Sequence, residues 1–165
     1  KGCLHPLQGI AQIFKYIVKM VEDPRSNVAL FWMAKPSPSQ PYVVTMNVRR
    51  WPEGDFEEKI IVIFDGEKED EVNSGLSFHF QRSGGTIGLS VLRYDTILLT
   101  SSIRGAGAMD RIEIFHYADV FWVDVNGRRM MKPVELPAVS TGTIGVGLTP
   151  ALGLDDFTIA RLTQR

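Results

Sequence analysis

The chain has 165 residues, 44% of them apolar and 22% charged, with a formal net charge of −1. That length supports one domain with a real core, and the near-zero charge supplies no global field to draw in nucleic acid. No run reaches the ~18 apolar residues of a membrane-spanning helix, and the single cysteine, Cys3, permits neither an internal disulfide nor a cysteine-based zinc site.

The redox compartment stays open. Cys3 reads as a spectator thiol, with a lipid anchor or an intermolecular bridge as the alternatives. Lys1 in place of Met is compatible with a removed signal peptide, although none is visible.

The first predicted element is a helix over Pro6–Val21. Leu7, Ile10, Ala11, Phe14, Ile17, Val18 and Val21 recur at three- and four-residue spacing. Pro6 suits a first turn and Pro24 stops the run. The polar face is thin, so this helix is expected to pack on the rest of the protein or on a protein partner. The alternative is an interfacial helix at a membrane surface, with Lys15 and Lys19 near the head groups.

From Asn27 the period becomes strand-like. Val28–Met33 is an apolar run. Tyr42–Arg50 alternates, with Val44, Met46 and Val48 on one face and Asn47 and Arg49 on the other. Ile60–Phe64 is apolar on both faces, as a central strand should be. Leu76, Phe78 and Phe80 alternate with Ser77, His79 and Gln81. Gly84-Gly85 turns the chain into Ile87, Leu89 and Val91, and Thr96–Ile103, Arg111–Tyr117 and Val120–Val125 follow. Asn126-Gly127 is a strong signal for a tight hairpin turn. Two closing strands lie within 142–148 and 154–162. Turn signals every ~8–12 residues mark an all-β sandwich or barrel. The predicted organisation is a helix and linker over 1–26 and a sandwich over 27–165.

The order of motifs from about Tyr42 to Leu162 carries a resemblance. Gly75-Leu-Ser-Phe-His-Phe-Gln81 is followed by Gly85-Thr-Ile-Gly-Leu-Ser-Val-Leu-Arg93, then Asp110-Arg-Ile-Glu-Ile114, and the hairpin at Val123-Asp-Val-Asn-Gly127. Gly142-Thr-Ile-Gly-Val146 and Asp155-Asp-Phe-Thr-Ile159 complete the series. Together they resemble concanavalin A-like (laminin G-like, lectin/glucanase-type) domains, including the domain related to 3-keto-disaccharide hydrolases. The resemblance implies two antiparallel sheets in a jelly-roll sandwich, with Gly145 and Gly147 leaving room on one face while Ile144, Val146 and Leu148 fill the core. The leading helix departs from that pattern.

Catalytic chemistry finds little support. Glycoside hydrolysis needs two carboxyl groups about 5–10 Å apart. Glu67, Glu69, Asp70 and Glu71 crowd a segment opened by Gly66 and read as a solvated loop. The alternative is a calcium loop using Asp65, Glu67 and Asp70, since clustered hard oxygen ligands suit that ion. Asp155 and Asp156 are adjacent and point to opposite faces. His5, His79 and His116 lack metal spacing, no Gly-x-Ser-x-Gly elbow occurs, and Gly105 and Gly107 belong to a strand connection rather than a phosphate loop.

Sugar binding remains. Sugar rings stack on exposed aromatics, and their hydroxyls take hydrogen bonds from Asn, Gln, Asp and Arg. Trp51 and Tyr94 sit in turn-rich segments, and Asn47, Arg49, His79 and Gln81 share the polar parity of their strands, with Arg93 joining from a strand end. Trp32 and Trp122 are assigned to the core. The leading expectation is a non-catalytic, extracellular or cell-surface module that binds a glycan through these residues. The alternatives are a structural subunit of a shell or membrane-associated assembly, using the helix for protein contacts, and a glycoside hydrolase-like enzyme relying on Glu69 or Glu113.

Overall fold

A computed structural model describes residues 17–23, 28–34, 41–50, 59–64, 75–105, 109–136, 143–148 and 153–162. The elements are β1 (Ile17–Asp23), β2 (Val28–Ala34), β3 (Tyr42–Arg50), β4 (Ile60–Phe64), β5 (Leu76–Ser83), β6 (Thr86–Arg93), β7 (Thr96–Arg104), β8 (Asp110–Tyr117), β9 (Val120–Val125), β10 (Arg128–Glu135), β11 (Thr143–Leu148) and β12 (Gly153–Arg161). One sheet has seven strands in the order β1-β2-β11-β4-β5-β6-β7; the other has five, β10-β9-β8-β3-β12. Every neighbouring pair is antiparallel.

Period-two patterning builds the interior. Val44, Met46 and Val48 of β3, Ile60, Val62 and Phe64 of β4, and Leu76, Phe78 and Phe80 of β5 all belong to one buried cluster. Leu89 and Val91 of β6, Ile112 and Ile114 of β8, and Phe121, Val123 and Val125 of β9 complete it from both sheets. Phe64 makes edge-to-face contacts with Phe78 on its own sheet at 5.3 Å and with Phe121 on the opposite sheet at 5.1 Å. These rings prefer that arrangement because a ring edge is positive and a ring face negative. Ile144 and Val146 fill the core from β11 as expected.

Two buried polar groups are satisfied inside this apolar frame. His116 continues the inward row of β8 and stacks on Phe121, with ring centroids 3.9 Å apart. Its Nε2 lies 2.5 Å from the Ala118 carbonyl, which can only accept, so Nε2 carries hydrogen. Nδ1 lies 2.7 Å from the Tyr42 hydroxyl. Asp110, fully buried, takes Arg82 Nη1 on one carboxylate oxygen and Asn126 Nδ2 on the other, each at 2.8 Å. Arg82 lies near the end of β5 and Asp110 opens β8, so this ion pair ties the two sheets together.

The predicted Asn126-Gly127 hairpin is present, with φ of 52° and 75° at its two residues. Both values lie in the left-handed region that a type I′ turn requires and that Asn and Gly tolerate best.

Two expectations are corrected. Ile17–Val21, the last part of the predicted helix, belong to strand β1, paired with β2 from Met33 to Leu30; 6–16 lie outside the described residues. The segment is apolar at nearly every position, so spacing alone does not fix its period, and β-branched Ile17, Val18 and Val21 favour a strand. Trp122 is not core. It lies on the outer face of the five-stranded sheet, half-buried, stacked on Phe115 at 5.1 Å with the ring planes 3° apart.

Candidate functional site

The hairpins β5–β6 and β6–β7 are set by short turns at Gly84-Gly85 and Tyr94-Asp95. Gly84 has φ of 58° and Tyr94 has φ of 53°. Glycine takes that conformation freely, whereas for tyrosine it carries local strain. These turns fix the register that aligns the outward side chains of the three strands. His79 pairs with Ser90 and Ser90 with Thr100; Gln81 pairs with Gly88 and Gly88 with Ser102. Their neighbours Phe80 and Leu89 fill the core, so these residues face outward.

The result is a groove of about 470 Å³ lined by His79, Gln81, Gly88, Ser90, Thr100 and Ser102, with Leu89 and Ser101 at its floor. Apart from Leu89 and the glycine, each of these side chains both gives and accepts hydrogen bonds. Gly88 keeps the groove open. A Cβ added there would meet only the Gln81 carbonyl, at 3.9 Å.

His79 is buried at the inner wall, with Nε2 2.9 Å from the Ser77 hydroxyl. Burial, reinforced by the positive charge of Lys59, lowers its pKa from 6.5 to about 4. The ring is therefore neutral at physiological pH. Beyond His79 the outer face changes character. Ile61 and Ile63 of β4 alternate with the core residues yet have no exposed surface, and they pair with Gly147 and Gly145. At β4 the outer face is thus apolar and closed, and over β5–β7 it is hydroxyl-lined and open.

The predicted site residues divide among several places. His79 and Gln81 meet in the groove. Arg93 and Tyr94 sit at the far end of β6, where the Arg93 guanidinium carbon lies 5.6 Å from the Tyr94 ring centre. Arg93 pairs with Leu76, three positions along β5 from His79, or about 10 Å at the rise of a strand. Asn47 and Arg49 are on β3 in the five-stranded sheet and do not share the face of His79 and Gln81. Strand parity decides which face a residue takes, but not which sheet its strand joins. Trp51, Asp65, Glu67 and Asp70 lie outside the described residues. Ser90, Thr100 and Ser102 were missed, although their opposite parity to Leu89, Val91 and Ile103 carries the signal.

No group of three or more His, Cys, Asp and Glu able to hold a metal ion occurs among the described residues. Likewise, no described helix is long and apolar enough to cross a membrane.

The sequence matches no protein-family model and no curated protein. Solved structures do match. The exoplasmic/lumenal domain of VIP36, in a Ca2+- and mannose-bound form, superposes with a TM-score of 0.60 at 14% identity, covering 87% of this chain and 77% of that one. A doubly substituted form of human galectin-16 gives 0.55 at 15% identity, covering 79% and 94%. The carbohydrate recognition domain of Emp47p gives 0.54 at 9% identity, covering 87% and 82%. The chain is a concanavalin A-like jelly roll. At these identities the likeness concerns the fold, and the groove over β5–β7 is an open, polar concavity among the described residues on which a functional reading rests.

Proposed function

We propose that this jelly roll is a non-catalytic glycan-recognition module that holds a sugar in the groove over β5–β7. The observation that carries the reading is the groove's lining: neutral donors and acceptors on three adjacent strands, converging on one open concavity. Sugar hydroxyls need such paired donors and acceptors, and rigid strands hold them at fixed spacing. The volume falls within the range of small-molecule sites. Arg93 and Tyr94 add an exposed ring and a cation at the end of the same sheet, where a longer oligosaccharide would reach.

The fold supports the reading, since the similar structures include a mannose-bound domain and a carbohydrate recognition domain. A hydrolase reading would need a carboxylate pair, and the described groove lining has no carboxylate. By the same chemistry, the groove offers a sugar direct contacts from hydroxyl, amide and imidazole side chains. A lumenal or extracellular setting belongs to the proposal, in keeping with the exoplasmic/lumenal domain of VIP36.

The test is Gly88→Val on the intact chain. The added side chain fills the groove, while strand propensity and the open space at Gly88 keep the fold. Against a panel of soluble polysaccharides and oligosaccharides, titration calorimetry should show binding by the parent chain that weakens at least about tenfold in the variant. The melting temperature should stay the same or rise. Failure of the parent chain to bind any member at millimolar concentration sinks the proposal.

A further inference from the structure

We propose that the sugar taken by this groove carries an anionic substituent, a carboxylate or a sulfate, which sits against Lys59; the inference rests on the glycan reading above. The first observation is which cations the described part of β4 to β7 offers: residues 59–64 and 75–105 hold Lys59, Arg82, Arg93 and Arg104.

The second observation is which of these cations face the groove. Arg82 is committed to Asp110 in the link between sheets. Arg93 lies beside Tyr94 at the distant strand end. Lys59 directly precedes Ile60, which pairs with Phe80, so Lys59 falls opposite Gln81 and diagonal to His79 on the outward parity. Arg104 follows Ser102 and Thr100 at alternate positions on β7, and all three are exposed. The groove is thus bracketed by Lys59 on one side and Arg104 on the other. Asp95 is in the turn at the opposite end of β7, and no described acidic side chain lies between the two cations.

The chemistry of the lining fits the same ligand. His79 stays uncharged beside Lys59, so it offers a hydrogen bond to a hydroxyl rather than a competing positive charge. Lys59 is half-buried at the groove edge, where a charge-assisted hydrogen bond to an anion is stronger than a neutral one. A neutral sugar would supply that ammonium with no counter-charge from within the groove.

Matched ligands that differ only in charge test the idea. Tetragalacturonate against its methyl ester probes the carboxylate, and dextran sulfate oligosaccharide against dextran of equal length probes the sulfate. The charged member of at least one pair should bind about tenfold more tightly, with an advantage that shrinks as salt is raised. Lys59→Gln should remove most of that advantage and leave the neutral member unchanged. Arg104→Gln should remove part of it and serves as the second variant if Lys59→Gln does not fold. Lys132→Gln, exposed on β10 of the other sheet, should change nothing. Equal binding of charged and neutral members, or an equal loss in Lys132→Gln, overturns the anionic preference and leaves the glycan reading standing. No binding by any sugar, charged or neutral, overturns both.

Discussion

His79 shows how one side chain serves both the sheet and the groove. It is buried against Ser77, and its pKa is pulled down to about 4, first by burial and then by Lys59. In the unfolded chain the imidazole titrates near its ordinary value of 6.5, so between those limits the unfolded state binds more protons. Stability contributed by the neutral ring is therefore complete above about pH 6.5 and is lost as pH falls toward 4. At pH 5 the loss amounts to about 2 kcal/mol. Urea unfolding at pH 7.5 and pH 5 should show this drop in the parent chain and a clearly smaller one in His79→Gln. Equal drops would place the pH dependence elsewhere. The proposed sugar binding beside the neutral ring, in contrast, should not change between pH 6 and 8.

At the scale of elements, the β8–β9–β10 region joins turn chemistry to the link between sheets. Asn126 adopts the left-handed conformation, its side-chain oxygen accepts the Arg111 N–H at 2.8 Å, and its side-chain nitrogen donates to buried Asp110. Asn126→Ala strains the turn and leaves one oxygen of a buried carboxylate without that donor. The expected destabilisation is about 2–3 kcal/mol by chemical denaturation, whereas Asn126→Asp, which keeps the turn preference but sets a second carboxylate beside Asp110, should separate turn strain from the lost donor by differing from the alanine variant. The turn itself was legible in the sequence, because Asn-Gly between alternating runs has one strong structural meaning. Strand β10 was less so. Its register shifts between Arg129 and Met131 and again between Met131 and Val134, and Pro133 lies within it. Bulges and a proline erase the period-two signal, and they are devices that blunt an exposed sheet edge. Strand β1 was hidden for another reason: Ile17, Val18 and Val21 fit a helical three- and four-residue spacing, so the period alone pointed to the wrong element. At the groove, parity already separated His79 and Gln81 from the core. The grouping with Asn47 failed because β3 pairs with β8 and β12, far apart in sequence, and no local pattern encodes that choice.

At the scale of the molecule, one interior joins the seven-stranded and five-stranded sheets, and the groove is only as rigid as that interior. Phe78 and Phe80, whose backbones carry His79 and Gln81 between and beside them, point into the core, and Phe78 lies 5.5 Å from Phe121 of the other sheet. Phe121 also meets Phe64 and stacks on His116, so its ring is shared by β4, β5 and β8. Removing it leaves a cavity bounded by both sheets that rigid strands cannot fully close. Phe121→Ala should cost about 3–5 kcal/mol. The loss should appear as one shifted transition, with far-UV circular dichroism and intrinsic fluorescence moving together, because neither sheet can bury its apolar face without the other. Sugar affinity measured well below the transition should weaken as well, through loosened spacing of β5 and β6 rather than any lost contact, while Phe115→Ala on the outer face of the opposite sheet leaves affinity unchanged. Two separate transitions in Phe121→Ala would mean that the sheets do not depend on a common core, and that the groove owes its geometry to its own three strands alone.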